Sequence, residues 1–176
     1  MIFKRIPEPY LIAEIGVNHN GSIEIAKKLI NHAKKNNFNA VKFQTYLTED
    51  LLLKNTPLAR YQEGQKNIKD MFGLLKKYQF NFSEFIKLKK YCDKLKIDFL
   101  STPFDKKSAI FLNKLKIPMF KISSTDNDNF ILLETIKKFK KPILLSLGMI
   151  EEKDLKKTLD FLKYKNNMLC LMHCIS

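Results

Sequence analysis

Arginine is nearly missing from this chain: Arg5 and Arg60 are the only two, although Lys and Arg together number 32 in 176 residues and the formal net charge is +14. A strongly basic protein invites a nucleic-acid reading, because lysine-rich surfaces attract phosphate backbones. Base readout and two-pronged phosphate clamps favour the planar guanidinium fork, so the scarcity of arginine argues against that class. The lysines fall mostly on outward helix faces, as at Lys87, Lys89, Lys90 and Lys94. They are expected to form a solvated surface; the alternative is a field that draws small anions toward the molecule. Long apolar runs are also lacking: no segment holds 18 apolar residues in a row, which excludes a membrane-spanning helix and leaves no expected membrane partner. The start, Met1 to Pro7, has neither a long apolar core nor a small-residue cleavage site, so a cytoplasmic location is expected. Cysteine is sparse. Cys92, Cys170 and Cys174 are odd in number and scattered, which excludes a disulfide framework and suggests buried packing thiols.

What the chain does have is a repeat of short apolar strands and amphipathic helices. Tyr10–Gly16 reads as a first strand, buried on both faces because its apolar residues nearly abut. From Ser22 a helix follows, with Ile23, Ala26, Leu29, Ile30 and Ala33 at spacings of three and four. Ala40–Gln44 is a second strand. Residues 45–80 read as one long irregular stretch with a short helix near Asp70–Lys77, and a loop of that length in a compact domain is usually functional. Asn81 opens the next helix, with Glu84 as its reciprocal capping partner. From Lys94 onward a helix end, a turn and a strand recur every 20 to 24 residues or so, a period that requires parallel strands with right-handed crossovers. Pro118 and Pro142 fit at strand starts, and Met168–Cys174 supplies a sixth strand. The expected fold is α/β: a TIM-type (β/α) barrel, incomplete with about six of eight units, in a single domain spanning 1–176. A complete barrel takes roughly 250 residues.

In such a barrel the strand-end loops converge on one face. Glu14, Asn18 and His19 follow strand one. Lys42 and Gln44 alternate to one side of strand two, and Lys121 stands between Phe120 and Ile122 in strand four. A lysine inside an apolar strand is anomalous, because burying an ammonium is expensive without an anion beside it. Its partner is either an internal carboxylate, Glu14 or Asp126, or a carboxylate or phosphate of a ligand. Hydroxyls recur at strand ends, at Ser101 and Thr102, Ser123 and Ser124, Ser146, and Ser176. One of them alone reads as a helix cap; four at equivalent positions, with two strand lysines, point to an oxyanion pocket. His19 and His173 come from separate strands and make no metal signature. No metal-ligating residue is assigned within the chain.

Taken together, Ala13-Glu14-Ile15-Gly16-Val17-Asn18-His19-Asn20-Gly21, Val41-Lys42-Phe43-Gln44-Thr45, Leu100-Ser101-Thr102-Pro103-Phe104, Phe120-Lys121-Ile122, Leu145-Ser146-Leu147-Gly148-Met149 and Leu171-Met172-His173-Cys174 resemble the sialic acid synthase family. That family includes the N-acetylneuraminate, legionaminate and pseudaminate synthases. Tyr61-Gln62 resembles the legionaminate-type branch. The resemblance implies condensation of phosphoenolpyruvate with an open-chain N-acylated amino sugar to a nine-carbon 2-keto acid, with release of phosphate. It implies that Lys42, Thr102, Lys121, Ser124, Ser146 and Ser176 hold phosphoenolpyruvate. Glu14 and Gln44 would face the sugar, with Asn18 and Tyr61 as further substrate-binding residues; Glu14 is implied to be catalytic together with Asp126, which stands where the family has a proton-transferring Glu. A divalent metal, Mn or Mg, is implied as well, its histidines lying in strands beyond the sixth. A homodimer is implied for full-length members. The competing readings are a Schiff-base keto-acid aldolase using Lys42 or Lys121, and a non-catalytic protein that binds phosphoenolpyruvate.

Overall fold

The computed structural model describes residues 9–58, 68–165 and 168–175. Strands and helices alternate: β1 (Ile12–Gly16), α1 (Ile23–Lys35), β2 (Ala40–Thr45), a single turn α2 (Thr48–Leu51), α3 (Met71–Tyr78), α4 (Phe82–Leu95), β3 (Asp98–Pro103), α5 (Lys106–Lys114), β4 (Phe120–Ile122), α6 (Phe130–Lys138), β5 (Ile143–Ser146), α7 (Glu152–Leu162) and β6 (Leu169–Met172). All ladders are parallel, in two sheets ordered β1-β2-β3 and β4-β5-β6, with β3 and β4 lying side by side. Chain order and spatial order therefore coincide, as short right-handed crossovers dictate.

Local chemistry sets the helix starts. Ser22 caps α1, Asp70 caps α3, Asp105 caps α5, and Asn81 with Glu84 forms the reciprocal capping box of α4. At the other end each helix reverses into its strand through one left-handed residue: Asn37, Lys96, Lys116, Lys140 or Lys163, with φ between 50° and 59°. Glycine usually serves there, because a Cβ resists positive φ.

Strand alternation sorts side chains into two apolar bodies. The larger lies between strands and helices and holds Phe43, Phe99, Phe120 and Ile122 against Phe85, Leu88 and Leu112. The smaller lies on the opposite side of the strands, where Ala40, Leu100, Met119 and Leu144 meet the half-buried Ile12, Cys170 and Met172.

Three expectations need correction. The first strand begins at Ile12 and is not buried on both faces: Ile12 and Ala13 are half-buried and Glu14 is exposed. Among the described residues it is an outer strand of its sheet, with β2 beside it on one flank only. Cys92 is buried, whereas Cys170 and Cys174 are half-buried, because β6 is likewise an outer strand. The stretch after β2 holds a helical turn, α2, that its composition did not announce; Gln79 Oε1 secures it by accepting from the Thr48 N–H and hydroxyl at 2.9 and 2.7 Å.

Candidate active site

The smaller apolar cluster is a floor, and a polar group stands above it. Register places Glu14 beside Lys42 and Gln44 beside Thr102, on the face of β1–β3 that carries Ala40 and Leu100. On β4, Lys121 points opposite to its neighbours Phe120 and Ile122, which belong to the helix-facing core, and so joins Met119 and Leu144. Ser146 follows Leu144 at the same parity on β5. Glu14, Lys42, Gln44, Thr102, Lys121 and Ser146 thus come to one side, at the C-terminal ends of their strands.

Lys42 and Lys121 are 9% and 7% exposed, which answers the anomaly of two lysines inside apolar strands. Lys42 forms an ion pair with Glu14. Gly16 makes room for that carboxylate: the register slips between Glu14 and Gly16, Gly16 takes φ +53°, and a Cβ there would stand 3.2 Å from Glu14 Oε1. Lys121 has no carboxylate partner among the described residues; its ammonium donates to the Ile122 carbonyl at 2.8 Å. Burial first, then the neighbouring charge of Lys42, pull its pKa from 10.5 down to about 8. A buried cation facing another cation is what a dianion would relieve.

Asp126 closes one edge of the group. It is 8% exposed, and one carboxylate oxygen accepts from Asn129 Nδ2 at 3.0 Å while the other has no partner among the described residues. Burial raises its pKa, more than the Asn129 bond lowers it. Cys174 brings its Sγ to 3.2 Å from Ser146 Oγ. Ser124 lies in the turn Ser124–Asp126 and lines a cavity of about 580 Å³ between that turn and the start of α7.

Other residues singled out in the sequence lie elsewhere. Asn18 is exposed on the turn after β1, in a groove with Leu29 and Phe38 on the helix side. Ser101 points toward the helices and bonds Thr45 at 2.7 Å. Tyr61 and Ser176 lie outside the described residues. His19 is not a mouth residue available to ligands: it is 2% exposed, stacked on Phe80 at 3.9 Å between ring centres, and its Nδ1 accepts the Gly21 N–H at 3.1 Å. Burial lowers its pKa to about 4, so it is a neutral packing imidazole at pH 7.

The sequence matches the NeuB family over residues 29–176. The chain belongs to the NeuB family. Among its relatives, an uncharacterised protein of Methanocaldococcus jannaschii is 39% identical over 171 residues, 95% of this chain and 46% of that protein. The N,N'-diacetyllegionaminic acid synthase of Legionella pneumophila is 34% identical over 173 residues, 95% of this chain and 49% of that one. A crystal structure of the N-acetylneuraminic acid synthetase of Leptospira borgpetersenii in complex with citrate superposes with a TM-score of 0.80 at 30% identity, over 95% of this chain and 54% of that one. The chain spans about half the length of the curated relatives it matches.

This NeuB-family chain carries one site residue that sequence reading passed over. Asn127 is buried and its Nδ2 donates to the carbonyls of Ser124 and Ser146 at 3.0 and 2.9 Å, tying the β4 turn to the end of β5. A buried amide bridging two loops has no short sequence pattern that would single it out. The described residues do not make a metal site: no three His, Cys, Asp or Glu side chains cluster. No helix among them is long and apolar enough to cross a membrane.

Proposed function

We propose that this chain forms the phosphoenolpyruvate side of a sialic-acid-type synthase, built on a (β/α) barrel of which this chain supplies six units in one domain. Family membership supports the reaction class, and the sequential parallel strands support the barrel. The observation that carries the reading is Lys121, a buried ammonium without a carboxylate partner among the described residues, set against Lys42. Phosphoenolpyruvate brings a carboxylate and a phosphate, enough negative charge to answer both lysines once Glu14 is displaced from Lys42. Thr102, Ser124 and Ser146 supply hydroxyl donors, a set to which the family resemblance adds Ser176, and donors held in place favour charge developing in the transition state.

In this reading C3 of phosphoenolpyruvate attacks the aldehyde of an N-acylated amino sugar, water adds at C2, and phosphate leaves to give the 2-keto acid. Glu14, freed by the incoming anion, and Gln44 face the sugar. Asp126, its carboxyl raised by burial, handles the proton. A divalent metal belongs to the reaction of the whole protein. Because the described residues do not assemble its site, no step here runs through it.

One observation favours a second reading. An amine with its pKa lowered to about 8 by burial and by another cation has the properties of a Schiff-base lysine, so Lys121 would serve a keto-acid aldolase too. Borohydride reduction in the presence of pyruvate separates the two. The synthase reading expects no adduct, together with protection of Lys121 from acylation by phosphoenolpyruvate; a reduced pyruvyl adduct on Lys121 overturns it.

A further inference from the structure

The turns that lead into the strands gather the excess positive charge on one face. All strands are parallel, so the ends of α1, α4, α5, α6 and α7 reach the same end of the molecule, opposite the candidate site. Two exposed lysines stand at each turn: Lys34 and Lys35 before β2, Lys94 and Lys96 before β3, Lys114 and Lys116 before β4. Lys138 and Lys140 before β5, and Lys163 and Lys165 before β6, continue the series. Among the described residues only Lys138 of these pairs with a carboxylate, that of Glu134. The nearby Asp93 is held by Lys89, and Asp98 accepts from the Tyr10 hydroxyl. At the opposite end of the molecule three lysines are answered, Lys76 by Glu49, Lys107 by Asp50 and Lys157 by Asp154, while Lys106 and Lys77 have no carboxylate partner among the described residues.

Cations at helix C-termini do complement the helix dipole, and that alone would account for a lysine that reaches an end carbonyl. At these turns Lys34 bonds the Lys96 carbonyl at 2.9 Å, and Lys141 bonds the Ile117 carbonyl at 2.8 Å. The rest of the paired set projects into solvent. We propose that this face docks on an anionic membrane surface. The charge is spread over five successive turns at one end of the parallel strands, a broad distribution that suits an extended anionic surface. The aromatic residues at these turns, Phe38, Phe139 and Tyr164, pack against the core, so none offers a stacking face for a base. Lysine point charges suit a diffuse anionic plane, where each contributes independently.

Sedimentation of the full chain with phosphatidylcholine vesicles, with and without phosphatidylglycerol, tests this. Binding is expected only with phosphatidylglycerol, to be reversed by salt, and to weaken about fivefold for each lysine removed in a variant carrying Lys94→Gln, Lys96→Gln, Lys114→Gln and Lys116→Gln. The matching four Lys→Arg changes should keep it, and a control with Lys107→Gln, Lys153→Gln, Lys156→Gln and Lys157→Gln at the other end should keep it too. Equal loss in that control, no binding to phosphatidylglycerol, or capture of duplex DNA without capture of vesicles overturns the proposal.

Discussion

Two buried titratable residues carry opposite lessons. His19 folds with a pKa of about 4 against 6.5 for a free imidazole, so the unfolded chain binds its proton more readily. The stability it protects is complete above pH 6.5 and falls away as pH drops through 6.5 toward 4, by up to about 3 kcal/mol. Urea midpoints across that window should show this slope, and His19→Phe, which keeps a ring against Phe80, should flatten it. Lys121 governs ligand rather than fold. Above pH 8 the free protein loses the ammonium that answers the anion, so phosphoenolpyruvate affinity should fall about tenfold for each further pH unit. Affinity that holds level up to pH 10 would mean that Lys121 takes no part in binding. Both lysines were legible in the sequence as polar residues in apolar strands. The burial of His19 was not, because Phe80, the ring that covers it, lies 61 positions away and is brought in by the segment leading from α3 into α4.

At the scale of elements, the left-handed reversals are the sites most open to improvement. Lys96, Lys116 and Lys140 hold φ of 53°, 58° and 53°, a region that costs a side chain about 1 kcal/mol relative to glycine. Lys116→Gly should therefore raise stability by about 0.5–1 kcal/mol in chemical denaturation, whereas the same change at the helical Lys114 should lower it by a similar amount. Gly21 is the converse. Its φ is +75° and a Cβ would stand 2.7 Å from the Lys77 carbonyl, so Gly21→Ala should cost about 2 kcal/mol or more by prying α3 from the turn after β1. Helices and strands were readable because the repeat of apolar positions announces them, and the capping box at Asn81 and Glu84 marked its helix start to the residue. The turn α2 was not readable: what secures it is Gln79, a contact made only in the folded chain. Strand β1 is shorter and less buried than its apolar run suggests, because such a run does not reveal which strand will lie at the outside of a sheet.

For the whole molecule, β1 and β6 each have a ladder partner on one side only among the described residues, and Leu11 and Leu171 nearby are 43% and 45% exposed. Unpaired edges with apolar side chains favour edge-to-edge association. Sizing chromatography with light scattering should show oligomers or concentration-dependent growth, and a monodisperse monomer would contradict this. The central claim concerns the interior: Lys42 and Lys121 grip a small dianion. Calorimetric titration of phosphoenolpyruvate into the wild-type chain, Lys42→Met and Lys121→Met tests it most directly. Lys121→Met removes a buried charge that has no carboxylate partner among the described residues, so its fold should hold or gain stability, and lost binding cannot be put down to unfolding. The account predicts that each change weakens binding at least about tenfold. Affinity unchanged within about twofold in both variants would contradict it.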